Sequence, residues 1–547
     1  MKRFLLVLGV LTTIAACKEK KEVPVIVYDE TAEILKQQDH ENPRMRYKLL
    51  SSKLDSEPIF DELESELDDF SITDYDRVYP MVFEKTIPEI QTAIETGKLT
   101  YKELTLFYLY RIHEYELDPS TSLHAIIKLN GNVVKEAEER DEQRLKNPNH
   151  HPIFGMPVLL KDNIGTDGMM TTAGAGVLRH NNAGDAFITE RLKENGALIL
   201  GKLNLSEWAY YFCDGCPVGY SAVGGQTLNP YGRKIFESGG SSSGSGVATA
   251  ANYAVATVGS ETSGSILMPS SINSIVGLKP TIGLLSRTGI VPISSTLDTP
   301  GPMTRNVTDN AILLDAMKGE DLNDAASVAT SVDFLNVLNS ADISEKKFGY
   351  FNNLYESDSV YAATIDELKE AGVRVSGFDV PSNVSLKGFL TLLNMDMKYD
   401  LPEYLETEAG KDVTVRSVAD IIAYNNQDSL NLAPYGQGRF DAIIADTTKL
   451  VELEVIKRQL KENGKRFFDV ELDSLGFDAV LSMNNYHAAQ AAVAQYPAIT
   501  LPMGYDVNGQ PHGLTLIAKP FEEASLLQYA YVVEQLLQAR KPPVDYK

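Results

Sequence analysis

A glycine- and serine-rich segment in the middle of the chain restricts the possible folds more than any other feature. Residues 239–246 read Gly-Gly-Ser-Ser-Ser-Gly-Ser-Gly, a composition that is typical of a flexible linker. A linker continues as polar sequence, whereas residues 247–256 are small and apolar. We therefore expect an ordered loop that packs against a buried helix, followed by a strand that leads to Gly259.

A second segment of this kind follows at residues 259–265, which read Gly-Ser-Glu-Thr-Ser-Gly-Ser. One interpretation is an ordinary tight turn, because Gly and Ser are common in turns. The other is a catalytic loop. Small residues at Ser263 and Gly264 let successive backbone N–H groups converge, as an oxyanion hole requires. Ser265 comes directly afterwards, so its hydroxyl is a candidate nucleophile beside that hole.

A lysine stands at the end of an apolar, strand-like run, residues 157–160. Burial disfavours a charged ammonium and lowers its pKa, which makes Lys161 a candidate neutral base. Taken alone, the segment favours a different interpretation, in which the lysine head group extends from the strand end into water. Only the combination with the two Gly/Ser segments favours the base.

Together the three segments resemble the signature of the amidase-signature family. The signature consists of a Pro-Val-x-x-Lys strand, a Gly-Gly-Ser-Ser loop and a Gly-(Ser/Thr)-(Asp/Glu)-x-x-Gly-Ser-Ile stretch. Ser241 and Ser265 are 24 residues apart, as in the family. The resemblance extends over nearly the whole chain after residue 85. Further segments that carry it are residues 201–208, 224–230, 276–281, 298–303 and 497–502.

The resemblance implies a role for each residue of the signature. Ser265 is then the nucleophile, Ser241 the bridging serine after a non-proline cis peptide, and Lys161 the terminal base. Gly240 and Ser242 are expected to support the loop. No cofactor and no metal ion are implied. The oxyanion hole is expected to consist of the backbone N–H groups of Thr262, Ser263, Gly264 and Ser265.

Two departures from the family pattern bear on the substrate. Glu261 stands where many members have Asp, and Leu267 and Met268 stand where many have Arg. A guanidinium near the nucleophile suits substrates with a free carboxylate. Its replacement by apolar residues predicts neutral carboxamides, and the pattern looks most like the peptide-amidase branch, which hydrolyses C-terminal amides of peptides. An apolar wall also suits a fatty-acid-amide hydrolase, which stays an alternative.

Three other functions compete with this interpretation. Residues 240–244 also fit G-x-S-x-G, the nucleophile elbow of α/β-hydrolases, with Ser242 as nucleophile and His487 or His512 as base. That elbow needs a strand immediately before the serine, which the sequence lacks. A non-catalytic surface lipoprotein on an amidase fold is opposed by the joint presence of the three signature side chains. A transamidase acting on aminoacyl-tRNA is opposed by the predicted export and by the net charge of −25.

Strand-like and helical segments alternate along the chain, which predicts an α/β fold with one large mixed β-sheet covered by helices on both faces. Strand-like runs include residues 197–200, 479–482, 498–501 and 514–517, and an amphipathic helix is predicted over 522–537. We expect the catalytic domain, of amidase-signature fold, to span residues 81–547. Residues 17–80 are rich in charge and are predicted to form a tether with some short helices.

The first 17 residues predict export. Two basic residues precede an apolar run that is too short to span a membrane and ends at Cys17. This resembles a bacterial lipoprotein signal, with residues 1–16 as signal peptide and Cys17 acylated, which implies a periplasmic or cell-surface enzyme bound to the membrane through its lipid alone. Cys213 and Cys216 form either a local disulfide or two inert thiols. Small amides or peptide amides are the expected partners, and nucleic acid is not.

Overall fold

The computed structural model describes residues 30–54, 58–60, 63–68, 70–147, 149–382 and 384–547. The predicted signal peptide and Cys17 lie outside these ranges. Within them, no helix combines the length and the apolar character that a membrane crossing requires.

A mixed sheet of eleven strands forms the centre of the described structure, in the order β1-β3-β2-β6-β8-β7-β12-β13-β11-β9-β10. A two-stranded sheet, β4-β5, lies apart from it. The strands are β1 (Ile126–Leu129), β2 (Pro157–Lys161), β3 (Leu198–Leu203), β4 (Tyr220–Ser221), β5 (Gly225–Gln226), β6 (Ala256–Glu261), β7 (Val276–Lys279), β8 (Thr299–Thr304), β9 (Lys347–Phe351), β10 (Arg374–Phe378), β11 (Ala479–Met483), β12 (Ala498–Tyr505) and β13 (Pro511–Ile517).

Helices cover the sheet, and the central strands β2, β3, β6, β7 and β8 are buried at every residue. Burial of this kind is typical of strands covered on both faces, and the predicted fold class is confirmed. The helices are α1 (Thr31–Gln37), α2 (Glu64–Leu67), α3 (Ile72–Val82), α4 (Ile87–Glu95), α5 (Tyr101–Glu116), α6 (Val133–Lys146), α7 (Phe187–Glu194), α8 (Ser243–Ala250), α9 (Leu267–Ile272), α10 (Val307–Met317), α11 (Asn352–Ser357), α12 (Ser359–Glu370), α13 (Phe389–Thr407), α14 (Val418–Asn425), α15 (Ser429–Leu432), α16 (Gly438–Ala445), α17 (Leu450–Asp469), α18 (Ala488–Ala494) and α19 (Glu523–Leu537).

Two parallel neighbours of the sheet position the signature segments. Strands β2 and β6 run side by side, with Leu160 opposite Val258. Because parallel strands end at the same edge of a sheet, Lys161 at the end of β2 comes next to Ser260 near the end of β6. Between them in sequence, α8 follows the Gly/Ser loop and is buried throughout. The predicted order of loop, buried helix and strand is confirmed.

The N-terminal strap, which we define as residues 30–54, corrects the predicted tether. Met45, Tyr47 and Leu50 are buried in the core of the catalytic domain. The carbonyl of Leu50 accepts the N–H of Gln226 at 2.7 Å. The predicted start of the catalytic domain, after residue 80, is therefore too late, since the strap already packs against it. The few apolar side chains that anchor the strap are not apparent in a sequence dominated by charged residues. Burying such side chains stabilises by about 1.5–3 kcal/mol each.

Candidate active site

Lys161 is wholly buried at the end of β2. Its Nζ lies 2.7 Å from Oγ of Ser241, 3.0 Å from the carbonyl oxygen of Ser260 and 2.9 Å from Oγ of the same serine. Burial lowers the pKa of Lys161 to about 7, although the negative charges of Asp298 and Glu261 oppose the shift. The predicted neutral lysine thus has a physical cause in its surroundings.

Ser241 is also wholly buried, in the loop before α8. The peptide bond between Gly240 and Ser241 is cis, as the resemblance implies. The Ser241 carbonyl accepts the N–H of Ser206 at 3.0 Å. Gly240 is needed because a Cβ there would lie 2.5 Å from Oγ of Ser206 and 2.7 Å from Cγ1 of Val218. The loop therefore holds the Ser241 hydroxyl toward Lys161 by close backbone packing.

Ser242 links the loop to both neighbouring segments. Its Oγ donates to the Ser260 carbonyl at 3.0 Å, and its N–H donates to the Ser265 carbonyl at 3.2 Å. Ser242 is wholly buried, and α8 follows it with no strand immediately before. The two histidines proposed for an elbow bind elsewhere, His487 to Oγ of Ser482 and His512 to the Asn484 side chain. The α/β-hydrolase alternative is therefore wrong, and Ser242 is a structural brace.

Glu261 organises the loop that carries Ser265. Its carboxylate accepts the backbone N–H groups of Gly264 at 2.6 Å, Ile266 at 2.7 Å and Leu267 at 3.0 Å. Gly264 has φ +90°, and a Cβ there would lie 2.9 Å from Nδ2 of Asn485. The predicted set of four oxyanion donors is wrong in one member, because the Gly264 N–H is already bonded to Glu261. Thr262, Ser263 and Ser265 stay as predicted donors.

Exposure separates the predicted nucleophile from its predicted partners. Ser265 is half-buried, whereas Lys161 and Ser241 are inaccessible to solvent. Of the three side chains, only Ser265 is open to a substrate. Leu267 belongs to the hydrophobic core and does not form the predicted apolar pocket wall, while Met268 is half-buried.

A cavity of about 250 Å³ adjoins these residues, and Asn163, Ser260 and Thr262 form part of its lining. We call it the acidic cavity because its lining includes Asp298 and four other acidic residues. Asp298 accepts Oγ1–H of Thr262 at 2.5 Å and the N–H groups of Ile293 and Ser294 at 2.8 and 2.9 Å. Burial raises the pKa of Asp298. This side chain therefore ties the 262–265 loop to the cavity wall.

Comparison with known proteins identifies the family. Residues 103–434 match the family described as Amidase, which is more than half of the chain. The chain belongs to the amidase family. This amidase is 36% identical over 479 residues to a probable amidase of Arabidopsis thaliana, a match that covers 84% of this chain and 91% of the relative.

Solved structures agree with the family. An amidase family protein from Bacillus anthracis superposes with a TM-score of 0.85 at 36% identity, covering 90% of this chain and 99% of the other. A peptide amidase from Stenotrophomonas maltophilia superposes with a TM-score of 0.79 at 35% identity, covering 84% of this chain and 98% of the other. The amidase is accordingly an enzyme that hydrolyses amide bonds.

Sequence reasoning left one feature open and missed others. Cys213 and Cys216 form a disulfide, which decides between the two alternatives. Asn163, Ser260 and Asp298 were not singled out as site residues, although each lies in or beside a segment that carries the resemblance. Proximity to Lys161 and to the two Gly/Ser segments was the available signal for the first two.

Proposed function

We propose that this amidase hydrolyses carboxamides with Ser265 as nucleophile, Ser241 as proton relay and Lys161 as base. The observation that carries the proposal is the 2.7 Å contact between Nζ of Lys161 and Oγ of Ser241 in a fully buried site. A buried amine with a lowered pKa is the form of lysine that accepts a proton near neutral pH.

The contacts of Lys161 suit the neutral amine. A neutral amine has two N–H donors and one lone pair. The carbonyl oxygen and Oγ of Ser260 accept the two N–H groups. The lone pair then faces Oγ of Ser241, 2.7 Å away. In this protonation state the Ser241 hydroxyl is the donor and the amine is the acceptor.

In the proposed reaction, Oγ of Ser265 attacks the amide carbonyl carbon as its proton passes to Ser241 and the Ser241 proton passes to Lys161. The N–H groups of Thr262, Ser263 and Ser265 stabilise the tetrahedral oxyanion. The relay returns a proton to the leaving nitrogen, which departs as ammonia or an amine. Water then attacks the acyl-enzyme by the same relay and releases the carboxylic acid.

We propose carboxamides without a free carboxylate, C-terminal amides of peptides among them, as the substrates. Similarity to the Stenotrophomonas peptide amidase supports this class. The carboxyl groups of the acidic cavity oppose substrates with a free carboxylate, and they also oppose long acyl chains, which favours a peptide amide over a fatty-acid amide. Measuring kcat/KM for a peptide amide, a fatty-acid amide and a malonamate at one pH tests this ranking. A higher value for either competitor contradicts it.

The nucleophile is tested with a serine-reactive phosphonate and intact-protein mass spectrometry. Ser265→Ala is expected to abolish labelling, and Lys161→Ala to slow it. Ser270→Ala is the matched control, because this nearby buried hydroxyl has no hydrogen-bond partner among the described residues. Labelling of the Ser265→Ala protein at wild-type rate contradicts the proposed nucleophile.

We also propose that the enzyme is exported and acylated at Cys17, on the strength of the N-terminal sequence. Cys17→Ser is expected to block processing and to release the enzyme from the membrane fraction. Unchanged processing and membrane association of that variant contradict the proposal.

A further inference from the structure

Among the described residues, five carboxyl groups and a single cationic side chain line the acidic cavity. Arg287 is the cationic residue in its lining, and its guanidinium binds the carboxylate of Asp324, with Nε donating to Oδ2 at 2.8 Å, and the Ser295 carbonyl. No Lys, Arg or His of the described ranges comes within 4.0 Å of the remaining carboxyl groups, those of Asp298, Asp400, Glu403 and Glu408.

A second observation, on the side chain of Asn163, points to a ligand. Asn163 is 3% exposed and lines the cavity next to Ser260. Its Nδ2 donates to Oγ of Ser260 at 2.9 Å, but its Oδ1 has no hydrogen-bond partner in the described part of the chain. A buried acceptor without a donor is destabilising, and a ligand N–H group would supply the missing hydrogen bond. Oδ1 of Asn163 and the carboxyl groups of the cavity are all hydrogen-bond acceptors, so they suit a ligand that donates hydrogen bonds.

The lining also has an apolar part. Residues 290–293, Ile-Val-Pro-Ile, form one side of the cavity. An apolar wall beside carboxylates matches a side chain with an aliphatic stem and a cationic head. At about 250 Å³ the space is below the range of about 300–1,000 Å³ that is typical of pockets for larger ligands, so it suits one side chain.

We propose that the acidic cavity binds a cationic side chain of the substrate, so that this amidase prefers carboxamides whose acyl part carries a guanidinium or ammonium group. The inference rests on the proposed function. The leaving group of a primary amide is ammonia, so a substrate side chain that binds in the cavity belongs to the acyl part.

The raised pKa of the Asp400 carboxyl group is consistent with a cationic ligand in the cavity. Burial raises its pKa to about 7, and the negative charges of Asp396 and Asp298 add to the rise. Its carboxylate accepts only the Ser295 N–H, at 2.6 Å, among the described hydrogen bonds. A bound guanidinium lets this group ionise at lower pH, as an opposite charge does for any carboxylate.

The test compares four N-acetylated amino-acid amides, those of arginine, citrulline, norleucine and glutamate. Citrulline has nearly the shape of arginine without its charge. We expect kcat/KM for the arginine amide to exceed that for the citrulline amide by about 10-fold or more, as a charged hydrogen bond of about 1.5–3 kcal/mol predicts, with the glutamate amide lowest. Equal values for arginine and citrulline overturn the inference and leave the proposed function standing. Hydrolysis of none of the four overturns both.

Substitutions of acidic cavity residues test whether this cavity causes the preference for a cationic substrate. Asp400→Asn and Glu403→Gln are each expected to lower the arginine-to-citrulline ratio by about 3-fold or more. Glu406→Gln is the matched control, because Glu406 is exposed on the same helix, α13, and does not line the cavity. Glu403 is exposed, so its variant is expected to fold even if Asp400→Asn does not. A ratio that stays at the wild-type value in Glu403→Gln and in folded Asp400→Asn overturns the inference.

Discussion

Two neighbouring strands each carry a wholly buried lysine, and the two lysines differ in their partners. Lys202 on β3 lies 3.3 Å from the equally buried carboxylate of Asp162. Lys161 on β2 contacts two hydroxyl oxygens and a carbonyl, and no carboxylate of the described residues lies within 4.0 Å of its Nζ. Burial is shared, so the adjacent carboxylate is what distinguishes the two sites.

This difference separates a structural lysine from a candidate base. Burial lowers the pKa of both side chains, and for Lys202 the contact with Asp162 opposes the shift directly. For Lys161 the opposing carboxylates are farther away, and its pKa falls to about 7. A buried ion pair holds its proton, whereas an amine among neutral oxygens is free to exchange one.

The largest expected effect of the comparison between Lys161 and Lys202 is the loss of activity when Lys161 is removed. Lys161→Met keeps an unbranched side chain and should leave the protein folded. We expect kcat/KM to fall by about 10²- to 10⁴-fold, the range for loss of a general base. Lys279→Met is the matched control, since Lys279 is wholly buried and binds the Pro280 carbonyl at 3.0 Å. Wild-type kcat/KM in folded Lys161→Met contradicts the assignment.

Removing Lys202 should act on stability instead. Lys202→Met leaves the buried Asp162 carboxylate without its cation, which costs about 3–5 kcal/mol in the free energy of unfolding. Urea denaturation measures this loss, and kcat per folded molecule should change little. The double variant Asp162→Asn/Lys202→Met is expected to recover part of the stability. A single variant as stable as wild type shows that the pair is not structural.

The pH dependence sharpens the contrast. Below the Lys161 pKa of about 7 the amine is protonated and has no lone pair, so kcat/KM for a neutral amide should fall by about tenfold for each pH unit. Above that pH the rate should level off. The residual activity of Lys161→Met should lack this limb. A wild-type rate that is flat between about pH 5 and about pH 9 is incompatible with a lysine base.

The smallest expected effect comes from Ser260→Ala. This change removes one hydroxyl partner of Lys161 and leaves the carbonyl that also binds Nζ. Oγ of Ser260 also accepts from Nδ2 of Asn163, so the change removes two hydrogen bonds, one of which reaches the base. Loss of that one, about 0.5–1.5 kcal/mol, predicts a decrease in kcat/KM of about 2- to 10-fold. Ser245→Ala is the control, because its Oγ donates to the Val258 carbonyl on the same strand, away from Lys161. An equal decrease in both variants indicates a general effect on β6.

Much of the architecture was predictable because it is local. The strand that ends at Lys161 and the buried helix after the Gly/Ser loop each follow from residues close in sequence. The meeting of Lys161 with Ser241 required the family resemblance, since 80 residues separate them.

The rest depends on distant contacts that no local pattern encodes. The hydrogen bond from the Gly264 N–H to Glu261 depends on the orientation of the Glu261 carboxylate in the folded loop. The acidic cavity combines Asn163 with Asp298 and with Asp400 on α13, and only the folded chain brings these segments together. The burial of Met45 and its neighbours was hidden by the charge of the surrounding sequence.

With Cys17 acylated, as we propose, the N-terminal strap limits the distance between the enzyme and the membrane. The strap is fixed from its first described residue, because Glu30 accepts the N–H of Ser51 at 2.9 Å and pairs with Lys53 at 2.7 Å. Twelve residues lie between Cys17 and Glu30, and the thirteen Cα–Cα steps of that segment span at most about 45 Å. With Cys17 acylated, the folded enzyme therefore stays within the length of this segment from the lipid surface. Its substrates are then the amides that come close to the membrane.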